Sequence, residues 1–176
     1  MDNPFHRWLR PSPPPRPRES EALEPRLRQL EQEAGSALPG QRGMAFNRAG
    51  DLCQRTNDPA RALAYYGNAI DTYLADDQPE PARGVAQKII RLHPKAVRTL
   101  CTLTWLDLAS GLAGDARVHL DLYVDGAKRA GREPLAREQI LAMARSSADP
   151  EFRQAAAAAL LRLLHPEGAK EVERMV

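Results

Sequence analysis

Apolar residues recur every three or four positions along most of this chain, in stretches cut apart by proline, glycine and aspartate. Phe46, Ala49, Gly50 and Cys53 share one face of a predicted helix at about 41–56. Across the turn Asn57-Asp58-Pro59, Asp58 suits an N-cap and Pro59 a first helical turn. The helix that follows, at about 60–75, carries Leu63, Tyr66, Ala69, Ile70, Tyr73 and Leu74 on its apolar stripe. Asp76-Asp77-Gln78-Pro79 breaks it, and a helix of about 80–92 brings Ala82, Val85, Ala86, Ile89 and Ile90 before His93-Pro94 stops it. The same reasoning predicts helices at about 96–109 (Val97, Leu100, Leu103, Trp105, Leu106), 115–130 (Val118, Leu120, Leu122, Tyr123, Ala127), 134–145 and 150–164. Asp149-Pro150 repeats the Asp58-Pro59 device, and residues 167–175 add a turn or two. Ahead of all these, Leu27, Leu30 and Ala34 make a weak stripe at about 25–34, with Leu23 just before it, read as a capping helix or spacer that runs into a loop ending at Gly40. No segment alternates apolar and polar residues over a strand's length, so the predicted fold class is all-α.

Ala49, Gly50, Ala62 and Ala69 are small enough to let two antiparallel helices approach closely, with Phe46, Tyr66, Ile70 and Tyr73 filling the space between them. The order Phe46-x2-Ala49-Gly50-x2-Cys53, then Ala62-x3-Tyr66, resembles a tetratricopeptide repeat. Ala82 and Ala116 stand 34 residues apart, the period of that family, and Pro94 falls where its pattern has a proline. Residues 42–130, about half the chain, carry the resemblance. Ala62 and Ala82 are only 20 apart, so the middle helix serves both neighbours, and Asp107 occupies a place where the pattern prefers a large aromatic. Further on, Asp149-Pro150-Glu151-Phe152-Arg153 with Ala156, Ala157, Ala159 and Leu160 resembles the second helix of a HEAT-type repeat. High helix propensity and tight packing explain the alanine run equally well. Both readings imply antiparallel helix pairs stacked as a short right-handed α-solenoid, TPR-like, with about six or seven helices.

The domain plan is a Pro/Arg-rich, disordered tail at 1–18, a capping helix and loop at 19–40, and a helical-repeat domain at 41–176. Within the tail, Phe5, Trp8 and Leu9 would share one face of a single helical turn beside His6, Arg7 and Arg10. That makes either an anchor that docks into a groove or incidental aromatics. The N-terminus has charges and prolines where a signal peptide needs an apolar run, and nothing downstream approaches the roughly 18 apolar residues of a membrane span. The expectation is a soluble, cytoplasmic protein with no membrane contact.

The net charge of +2 on a background of 27% charged residues does not by itself point to nucleic acid. Cys53 and Cys101 lie in separate helices with no CxxC pair, which reads as buried free thiols. His119 has Asp115 four residues before it and Asp121 nearby, an ion pair or half of a metal site that nothing completes. Neither a phosphate loop, nor a nucleophile elbow, nor HExxH occurs, so no enzyme activity, cofactor or metal is expected.

In tetratricopeptide arrays the first helix of each pair lines a concave face that binds peptides. Carried onto this sequence, the resemblance implies a lining of Asn47, Arg48, Asp51, Gln54 and Arg55, with Asn68 and Asp71 from the next helix and Arg98, Thr102 and Trp105 further on. Trp105 is either core or a groove-lining hot spot. Family members that grip a C-terminal carboxylate use a lysine and paired asparagines there, and Asn47 and Asp51 do not fit that set. The expected function is a non-catalytic protein–protein interaction module, an adaptor or scaffold for a protein or peptide partner. The alternative is a nucleic-acid-associated protein whose arginines engage phosphates. Self-association through the last helix pair is a third reading.

Overall fold

The computed structural model describes residues 22–38 and 40–176. The tail at 1–18, with Phe5, Trp8 and Leu9, lies outside the described residues. Among those described, the fold is all-α with nine helices: α1 Leu23–Ser36, α2 Arg42–Arg55, α3 Pro59–Ala75, α4 Pro79–Leu92, α5 Val97–Ala109, α6 Ala113–Arg129, α7 Glu133–Ser146, α8 Pro150–Arg162 and α9 Pro166–Glu173. Every end falls within two residues of the position that the apolar period and the breakers predict.

The starts and stops have local causes. Proline stands in the first turn of α3, α4, α7, α8 and α9, where its missing N–H leaves no bond unmade. Asp58 and Asp149 act as N-caps: their carboxylates accept from Arg61 N (3.1 Å) and Phe152 N (2.6 Å). The Arg61 side chain also grips Asp58, and this hydrogen bond is the main cause of an acid strength above that of an ordinary aspartate. At the other ends, Asn57, Gly111, Gly131 and Leu164 take left-handed backbone conformations. The next amide in each case then reaches back to the carbonyl five positions earlier, at 2.8–2.9 Å, in Asp58, Leu112, Arg132 and His165.

The chain divides into two compact units between Asp77 and Gln78. In the first, α2 packs on both α1 and α3. Its core holds Leu23, Leu27, Leu30, Cys53, Tyr66, Ile70 and Tyr73, so α1 is a packed member of this unit through its leucines. Glu24 meets Arg61 (2.6 Å) and Glu31 accepts from the Tyr65 hydroxyl (2.6 Å), so α1 and α3 run in the same direction. Phe46, expected between the helices, is only half-buried, and Leu74 is exposed.

In the second unit α4 packs on α5, α5 on α6, and α6 on α7 and α8, while α7, α8 and α9 pack on one another. Leu100, Leu120, Tyr123, Ile140, Met143, Phe152, Leu160 and Val172 are buried in its core. Three residues of the alanine run, Ala156, Ala157 and Ala159, are buried where α8 meets its neighbours, and small side chains permit that close approach. α6 corrects the predicted stripe: it buries Ala116, Leu120, Tyr123, Val124 and Ala127, whereas Val118 and Leu122 face outward. The buried set keeps the helical period, and Val118 and Leu122 lie off its face. None of the described helices is long and apolar enough to cross a membrane.

Candidate functional site

The pairing of α2 with α3 sets the first part of the candidate face. Gly43 and Gly50, two helical turns apart, lie against the rings of Tyr73 and Tyr66; a Cβ added at either glycine would come within 2.5–2.6 Å of a ring carbon. Any side chain here would hold the helices apart, so glycine is required by proximity. The closeness fixes Tyr66, which is fully buried. Its hydroxyl ends within reach of two acceptors, Asp51 Oδ1 (2.7 Å) and Gln54 Oε1 (2.9 Å). Burial first, and then the Asp51 acceptor, raise the phenol's pKa above its ordinary value.

The five residues expected to line α2 thus fall on two sides of the helix. Asp51 and Gln54 are held by Tyr66, with half-buried Asn47 on the same stripe. Arg48 and Arg55 are exposed and face α1 with Leu52 between them. Together with Arg26, Gln29, Leu30 and Glu33 of α1 they line a depression of about 270 Å³. It adjoins a second, of about 460 Å³, that shares Glu33 and Arg48 and continues past Ala37, Gln41, Met44 and Ala45. From α3, Asn68 and Asp71 are both exposed. Asp71 lines a further depression with Glu31, Arg42, Phe46 and Asp76, and Asp76 accepts from Gly40 N (2.7 Å).

The remaining three residues belong to α5 in the second unit. Arg98 is exposed, and its carbonyl accepts from the Thr102 hydroxyl (3.1 Å). Trp105 is half-buried against the core and donates Nε1–H to Gln139 Oε1 (3.3 Å). It also lines a depression of about 470 Å³ with Leu108, Ala113, Ser147 and Asp149. Trp105 thus packs partly against the core and also borders this depression.

Sequence reasoning missed a buried charge cluster. Asp107 has no solvent exposure, and both its oxygens are engaged, Oδ1 by Arg83 Nε (2.6 Å) and Oδ2 by His119 Nδ1 (2.6 Å). Arg83 extends the cluster to Asp115 at 3.2 Å. His119 thus pairs with Asp107 on α5, and Asp115, its expected partner, pairs with Arg83. The hydrogen bond to Asp107 strengthens the hold of the Arg83 guanidinium on its proton. The one available signal was an aspartate where the tetratricopeptide pattern prefers a large aromatic, which reads as a departure from that pattern until Arg83 and His119 are seen to meet it.

No group of three or more His, Cys, Asp or Glu among the described residues is arranged to hold a metal ion. Cys53 and Cys101 are free thiols, and burial raises the pKa of both above the ordinary value. The described faces present hydrogen-bonding and charged groups, Asn47, Arg48, Asp51, Gln54 and Arg55 among them. No family model matches the chain, and no curated protein matches it.

Proposed function

We propose that this chain is a non-catalytic interaction module of tetratricopeptide-like build, an adaptor that binds a protein or peptide partner reversibly. The observation that carries this reading is the α2–α3 hairpin. Its glycine–tyrosine contacts commit the apolar face to packing and leave two polar stripes on α2, Asn47, Asp51 and Gln54 on the side of Tyr66 and Arg48 and Arg55 on the side of α1. Asp51 and Gln54 are oriented by a buried hydroxyl, which lowers the entropy lost when they take a partner. On α5, Arg98, Thr102 and Trp105 would form a second contact set, with Trp105 as its anchor. The right-handed solenoid arrangement, the HEAT-like character of α8 and a cytoplasmic location belong to the same proposal.

The small net charge of +2 favours this reading over the nucleic-acid one. Arg61, Arg83, Arg117, Arg145 and Arg162 all engage carboxylates, which leaves fewer guanidinium groups to meet phosphates. The test is capture from the native cell extract on the immobilised full chain, at low and high salt. A discrete protein should be retained, and the double variant Arg48→Glu, Asp51→Arg should lose it while circular dichroism shows unchanged helicity. Undiminished capture by that variant excludes the α2 face, and recovery of mainly nucleic acid released by salt supports the alternative.

A further inference from the structure

Three arginines converge on one groove without an ion-pair partner among the described residues: Arg26 of α1 and Arg48 and Arg55 of α2. What sets them apart is that all three line the same depression. The groove has an apolar floor, Leu30 and Leu52, and one acid, Glu33, whose carboxylate accepts from the Gln29 amide at 3.1 Å. Three guanidinium groups against one carboxylate leave a surplus of two positive charges in a depression of about 270 Å³. Exposed side by side, the three guanidinium groups set up a local positive field and offer charge-assisted hydrogen bonds to an anion.

The groove does not end there. Past Glu33 and Arg48 it opens into the adjoining depression, whose wall includes Met44, Ala37 and Ala45, with Met44 46% exposed. From Arg26 to Ser36 the seam runs ten residues along α1, on the order of 15 Å at the rise of a helix. An extended peptide covers that length in about five residues. We infer that the α1–α2 seam is a docking groove for an acidic peptide segment, about five residues long and extended, with carboxylates over Arg26, Arg48 and Arg55 and an apolar side chain against Met44. This rests on the α2 interaction face proposed above and names the chemistry of its partner. A nucleic-acid strand fits less well, because no aromatic side chain among the described residues lines either depression to stack on a base.

The experiment uses the full chain and a fluorescein-labelled peptide of five glutamates followed by a leucine, read by anisotropy. The matching lysine peptide and a twenty-residue oligo-dT serve as controls. The glutamate peptide should bind and the lysine peptide should not. The triple variant Arg26→Glu, Arg48→Glu, Arg55→Glu should weaken binding about tenfold or more, since three exposed charge contacts are reversed together. The milder Arg→Gln triple, which adds no repulsion within the protein, should weaken it in the same direction, and Met44→Ser should lower affinity for the leucine-ended peptide but not for one ending in serine. Equal binding by wild type and both triple variants overturns the inference, as does oligo-dT that binds more tightly than the peptide and displaces it. A native partner lost in Arg48→Glu, Asp51→Arg but kept in the Arg→Gln triple would sink this groove and leave the broader interaction reading standing.

Discussion

Gly50 and Tyr66 occupy one space: a Cβ on the glycine would stand 2.5 Å from the tyrosine ring, inside any real contact distance. Seven residues back on α2 and seven forward on α3, Gly43 and Tyr73 repeat the arrangement at 2.6 Å. The register between the two helices is therefore fixed twice, at points two turns apart.

Gly50→Ala should accordingly reverse the usual effect of that substitution. In an open helix interior, alanine is worth about 1 kcal/mol over glycine. Against a fully buried ring, overpacking should win and destabilise the protein by about 1–3 kcal/mol. Gly67 in α3 is the internal control, because a Cβ there meets nothing within 4 Å, and Gly67→Ala should be neutral or mildly stabilising. Urea unfolding of the two variants checks the contrast, and a shift of the same sign in both would refute it.

Asp107 and Asp115 both bind Arg83, yet they should differ sharply in what their removal costs. Asp107 is fully buried and bonded to two partners, whereas Asp115 is exposed. Asp107→Ala leaves the part-buried Arg83 and His119 without their shared acceptor, at a cost of about 3 kcal/mol. Asp115→Ala should cost under about 1 kcal/mol, and raising the salt concentration should shrink even that. Chemical denaturation at two ionic strengths separates the cases.

The chain has four tyrosines, Tyr65, Tyr66, Tyr73 and Tyr123, and burial is the leading cause of a raised pKa in every one. Carboxylate acceptors add to the effect at Tyr65, through Glu31, and at Tyr66, through Asp51. A phenol with its folded pKa above its unfolded value gives stability that is whole below about pH 10 and falls as the pH rises further, because the unfolded state releases its proton first. Phenolate absorbance of the folded protein should therefore stay low through pH 10 and rise together with loss of helicity. The urea-unfolded chain should titrate near pH 10, and Tyr66→Phe should flatten the alkaline decline. Ordinary titration with helicity intact would contradict the burial of these rings.

Helix positions were legible where a boundary is written in local chemistry: Asp58-Pro59 and Asp149-Pro150 start helices through a cap and a pre-set φ, and Asn57 or Gly131 ends them. The close packing of α2 on α3 was legible for the same reason, from the small residues at Ala49, Gly50, Ala62 and Ala69. What one stripe cannot reveal is which neighbours it meets. Val118 and Leu122 satisfy a helical period yet face outward, since Tyr123 and Val124 win the core side. Likewise the weak stripe of α1 hides how much of it is buried, and nothing local announces that Arg26 will stand across from Arg48 and Arg55. Asp107 was invisible because its partners lie 24 residues before it and 12 after.

Asp107 also governs how α4 comes and goes. In the second unit α4 packs chiefly on α5, so by apolar contact alone it would be the helix most ready to detach. Detachment, however, would withdraw Arg83 and leave a buried carboxylate supported only by His119. The helix at the edge is thereby enrolled in the opening of α5 and α6, and its amide hydrogens should exchange with theirs as one cooperative block instead of fraying ahead of them. In Asp107→Ala that block should come apart, with α4 exchanging first.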